Sequence, residues 1–103
     1  MNLSISSINV THGNIVVRGK GASGNTVTIV NGSTTLGSTT VDNNGDWQIT
    51  FPAAGNGSFT VQSAGKEENV NMSVQASGHE ATVTTTTTIP ITGEPVTAGS
   101  VAN

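Results

Sequence analysis

The oxygen-rich run Asp42-Asn43-Asn44-Gly45-Asp46 is the first place in this sequence where side chains could do chemistry. Carboxylates and amides around a glycine open a calcium loop, but such a loop closes on a bidentate Glu at its last position. That position falls on Phe51. The run therefore reads as a turn, because Asn-Gly accepts positive φ at both central positions of a type I′ turn and so closes a tight hairpin. His12 and His79 each stand beside a glycine, far apart in a chain with no cysteine, which leaves no zinc-type ligand spacing. Glu67 and Glu68 would point to opposite faces of a strand and read as a solvated turn. No Ser-His-Asp pattern or nucleophile elbow is present. The glycine-rich stretches 19–24 and 55–57 lack the following helix on which phosphate cradles depend. The expectation is a non-enzymatic protein without metal or cofactor.

The elements that would carry these residues are strands. β-branched residues dominate, Gly and Asn recur roughly every eight to twelve positions, and no window repeats apolar residues at helical spacing. Leu3 and Ile5 share one phase and Ile8 and Val10 the other, so the buried face reverses across Ser6-Ser7. That slip predicts a bulge or a strand that changes sheets. Further strands are expected over 14–18 and 26–30, with a weak edge-like segment over 34–40. Trp47, Ile49 and Phe51 then alternate with Gln48 and Thr50, Phe59, Val61 and Ser63 follow, and Val70, Met72 and Val74 alternate with Asn71, Ser73 and Gln75. About seven short strands with an apolar face each call for a second layer, and the expected fold is an all-β sandwich.

Composition narrows the partners. Only 9% of residues are charged, against about 25% in an average chain. With a net charge of −3 the surface has no strong field, which argues against nucleic acid and an anionic membrane surface as partners. No run of apolar residues is long enough to insert as a membrane helix. The first residues have neither a basic start nor the apolar stretch of a secretory signal peptide, so the expectation is either a chain that works where it is made, in the cytoplasm, or a module cut from a longer protein with a start Met supplied.

Three blocks in order carry a resemblance: Gly19-Lys20-Gly21-Ala22-Ser23-Gly24-Asn25-Thr26-Val27-Thr28-Ile29, then Val41-Asp42-Asn43-Asn44-Gly45-Asp46-Trp47-Gln48-Ile49, then Asn56-Gly57-Ser58-Phe59-Thr60-Val61. Over roughly residues 3–75 the chain resembles the bacterial immunoglobulin-like (Big) domains, which recur in surface adhesins and as single modules in tailed-phage virion proteins. The resemblance implies an immunoglobulin-like β-sandwich over 1–76. Adhesin repeats of this type end in an Asp and a Gly-Asn-Ser-like stretch, where this chain has Ala64-Gly65-Lys66-Glu67-Glu68-Asn69-Val70. The departure points away from calcium-linked tandem stacking.

Residues 77–103 differ, with the run Thr84-Thr85-Thr86-Thr87-Thr88 and few strong apolar positions. Ala81, Val83, Thr85, Thr87, Ile89 and Ile91 share one period-2 phase, and β-branched residues make the segment stiff and extended. Pro90 confines it to an edge. It is expected to be a C-terminal arm that docks on a partner through those six residues, by pairing with a neighbour's sheet edge. The function expected is that of a virion accessory protein, decorating capsid or tail, with a protein partner and a host surface glycan as a further one. A spacer or adhesion module on the bacterial cell surface within a longer protein is the alternative. A carbohydrate-binding module is the third reading; it lacks exposed aromatic platforms, because Trp47, Phe51 and Phe59 all fall at core positions.

Overall fold

A computed structural model describes residues 2–66, 69–84 and 86–97. The fold is all-β, with no helix among the described residues. Among the described residues nine strands follow one another: β1 (Ser4–Thr11), β2 (Asn14–Lys20), β3 (Thr26–Asn31), β4 (Thr34–Thr40), β5 (Asp46–Pro52), β6 (Ser58–Ala64), β7 (Val70–Ser77), β8 (Glu80–Val83) and β9 (Thr87–Gly93). They form one sheet in the order β4-β3-β6-β7-β8-β9-β1-β2-β5, rolled until its end strands β4 and β5 lie against each other, so that the molecule is nearly a barrel. The seven strands expected are thus joined by two more, and the segment expected as a free arm supplies them.

The apolar phase explains the packing. Trp47, Ile49 and Phe51 of β5, Phe59 and Val61 of β6, Ile15 and Val17 of β2, and Val27 and Ile29 of β3 all point inward and are buried. Phe51 and Phe59 meet edge to face, with ring centroids 5.1 Å apart, at the centre of that core. In β1 the register against β2 shifts between Ile5 and Ser7, where the apolar phase slips. Beyond this bulge Ile8 and Val10 turn into the core.

The C-terminal strands close the roll. β9 pairs antiparallel with β8 through Thr87 to Pro90, then parallel with β1 through Ile91 to Gly93. Pro90 sits at the handover. The Ile91 amide donates to the His79 carbonyl at 2.8 Å, so the nitrogen of Pro90 points to the opposite side, where β1 has not yet arrived. A missing donor there breaks no ladder bond.

At the other join, β4 and β5 are neighbours without ladder hydrogen bonds. Close approach takes their place: a Cβ on Gly37 would stand 2.5 Å from Ile49 Cγ2, so only glycine lets β4 settle on β5. One turn differs from expectation. At Asn44-Gly45 only the glycine has positive φ, at 80°, and the Gly45 amide donates to the Asp42 carbonyl, so the turn is not type I′. It also joins strands that do not pair, which removes the twist-matching that selects type I′. The type I′ signature falls instead at His12-Gly13, with φ of 50° and 76°, in the two-residue hairpin loop that joins the paired strands β1 and β2.

Candidate functional site

The oxygen-rich run is consumed by its own turn. Asp42 Oδ1 accepts the amides of Asn44 and Asp46, each at 2.9 Å, and the Asp46 carboxylate pairs with Lys20. His12 serves as a turn residue; its main-chain amide donates to the Glu94 carboxylate. Among the described residues no group of three or more His, Asp or Glu side chains gathers where a metal could be held. Glu67 and Glu68 lie outside the described residues.

The six residues expected to meet a partner divide. Ala81, Val83 and Ile91 are buried in the core of their own chain, Ile89 is half-buried, Thr87 is exposed, and Thr85 lies outside the described residues. Their strands pair with β7 and β1, so the segment is not a free arm: the period-2 phase that suggested a docking face is the phase that faces inward. Ala81 and Ile91 are thereby withdrawn from docking.

Val83, Thr87 and Ile89 do come together with residues of other strands. They join Ser4, Ile5, Val70, Met72 and Thr84 around an apolar slot of about 440 Å³. The slot exists because β9 reaches β1 only at Ile8, while β8 leaves β7 at Val74. Before those points β1 pairs with β2 alone over Ser4 to Ser7, and β7 pairs with β6 alone over Val70 to Ser73, except that the Thr84 amide donates to the Ser73 carbonyl at 2.8 Å. Among the described residues two strand edges therefore face the slot with main-chain groups that no ladder takes up, and an edge in that state is a template for another strand.

Two further observations mark this region. Thr84 has φ of 49°, a left-handed conformation that a β-branched residue adopts only under constraint. Ile5, Val70, Met72 and Ile89 are only partly buried, although each packs against the core. Sequence reasoning placed Val70 and Met72 with Val74 on one covered face; the alternation is real, but which half of the strand is covered depends on where β8 ends. The phase slip at Ser6-Ser7 was the available signal that Ile5 leaves the face of Ile8. No protein-family model matches the chain, and no curated protein matches it either.

Proposed function

We propose that the protein is a non-enzymatic immunoglobulin-like β-sandwich of the bacterial immunoglobulin-like family, serving as an accessory subunit on the capsid or tail of a tailed-phage virion. The sandwich reading draws support from the order of pairing: β2 skips to β5 while β3 skips to β6 and β6 pairs with β7, the non-sequential partnership of a Greek key. One observation carries the docking role, the apolar slot between the unpaired edges of β1 and β7. Its occupant is an extended segment of a neighbouring virion subunit, apolar at alternate positions. That segment adds a strand to the free edge and lays its apolar side chains on Ile5, Met72 and Ile89. Affinity then comes from main-chain hydrogen bonds and apolar burial, which suits a chain with only 9% charged residues.

The test is incorporation. The wild-type protein should sediment with virions purified on a density gradient. Ile89→Lys or Met72→Lys should reduce its copy number in the particles at least about tenfold, the effect of losing roughly 1.4 kcal/mol of binding, with a circular dichroism melt close to wild type. Unchanged incorporation of both variants overturns docking through the slot. Absence of the wild-type protein from particles, with recovery in the cell envelope, overturns the virion assignment in favour of an adhesin module.

A further inference from the structure

A second concave surface, sharing no lining residue with the slot, lies on the outer face of β2 and β5, and most of its side chains carry polar groups. It is a groove of about 660 Å³ between the β1 bulge and the end of β4. Cross-strand register assembles it: Arg18 stands opposite Gln48 of β5 and Ser7 of β1, and Lys20 stands opposite Asp46. Residues opposite one another share a face, so these side chains project together. Thr39 and Thr40 form the far wall.

The ionic groups in the groove cancel. Lys20 pairs with Asp46, and Asp42 is engaged by the amides of its turn, while Arg18 has no ion-pair partner among the described residues. With two cations against two carboxylates, a polyanion gains little here. What remains is a planar fork of donors on Arg18, an amide on Gln48 that both donates and accepts, and the hydroxyls of Ser6, Ser7, Thr39 and Thr40. That set matches a ligand with many neutral hydroxyls, each donor and acceptor at once. The indole of Trp47 lines the groove from beneath, held by its Nε1 donating to the Lys20 carbonyl at 2.9 Å. A Cβ on Gly19 would run into that ring, so the glycine fixes where the groove floor lies.

We propose that this groove is a binding site for a neutral saccharide, in which the Arg18 guanidinium donates to two adjacent sugar hydroxyls and Gln48 to a third. The site is independent of the slot and of what the slot binds. A shallow, solvent-open site of this kind holds its ligand with a dissociation constant on the order of a millimolar.

Trp47 is the only tryptophan in the chain, so its fluorescence reports on the groove directly. The full chain is titrated with neutral hexasaccharides of glucose, galactose, mannose and N-acetylglucosamine, with amide chemical shifts read in parallel. At least one should give a saturable change, with shifts at Ser7, Arg18, Thr40 and Gln48. Arg18→Gln and Gln48→Ala should each weaken binding about tenfold or more, as expected for losing a hydrogen-bond partner at a charged or amide group. Both side chains are exposed, so the melting temperatures of these variants should stay at the wild-type value. About 0.5 M salt should leave the affinity unchanged, because no net charge is being screened. The proposal is overturned by no saturable change with any of the four up to about 20 mM, an affinity well below the millimolar range. It is equally overturned by variants that bind like the wild type, or by salt-sensitive binding of a uronic-acid hexasaccharide alone.

Discussion

Among the described residues two gaps interrupt the ladder of the rolled sheet, one between its end strands and one where β8 and β9 stop short between β7 and β1, and they are treated in opposite ways. Between β4 and β5 the gap is sealed by side-chain packing, with Gly37 giving Ile49 room to enter and the core continuing unbroken beneath. Between β1 and β7 the gap stays open, its walls half-buried and its roof the strained turn at Thr84. Close packing without hydrogen bonds is enough to end a sheet safely when no polar main chain is left facing an apolar cavity. The second seam fails that condition, since its apolar lining is bordered by strand edges that no ladder takes up among the described residues, and such edges can template another strand.

Substitutions separate the two seams most clearly on the sealed side. Trp47→Ala should cost about 3–5 kcal/mol, because a buried indole is removed from a packed wall; a chemical-denaturation midpoint equal to wild type would contradict the packing described. Next in size, Gly37→Val should cost roughly 1–3 kcal/mol by driving β4 off Ile49. A melt unaffected by this change would mean that β4 and β5 are held together some other way. On the open side, Met72→Ala should cost under about 1 kcal/mol, since the side chain is only partly covered and leaves no enclosed cavity; a loss as large as that at Trp47 would show the slot to be part of the core. Comparable in size but opposite in sign, Thr84→Gly should raise stability by about 0.5–1 kcal/mol, the relief of a left-handed β-branched residue exceeding the added chain entropy. A stability loss there would show that the turn is not strained.

Much of the strand pattern was legible because it is local. The alternations at 47–51 and 59–63 gave the buried faces, and the slip between Ile5 and Ile8 gave the bulge, since both follow from the period of a strand. The Asn44-Gly45 turn was misjudged in type because turn type depends on whether the flanking strands pair, which is decided elsewhere in the chain. For the same reason the Thr-rich segment looked detachable. Its low complexity is visible in the sequence, but the vacant edge of β1 that receives Ile91 lies at the far end of the chain. Of the slot, sequence supplied Val83, Thr87 and Ile89 as one face and missed Ile5, Val70 and Met72, whose incomplete burial is a matter of where two neighbouring strands stop.

The parallel pairing of β9 with β1 carries a consequence for how the chain comes into being. Asn9 and Thr92, 83 positions apart, are joined by a side-chain hydrogen bond across that ladder. β1 therefore leaves the ribosome well before β9, the strand that takes up its edge, and that edge stays unsatisfied until β9 has followed. A chain of such long-range pairings folds slowly, on the millisecond-to-second scale of other β topologies. Until then the edge of β1 is open to any strand that passes, and a cell making this protein in quantity would depend on dilution or a chaperone to keep nascent copies apart.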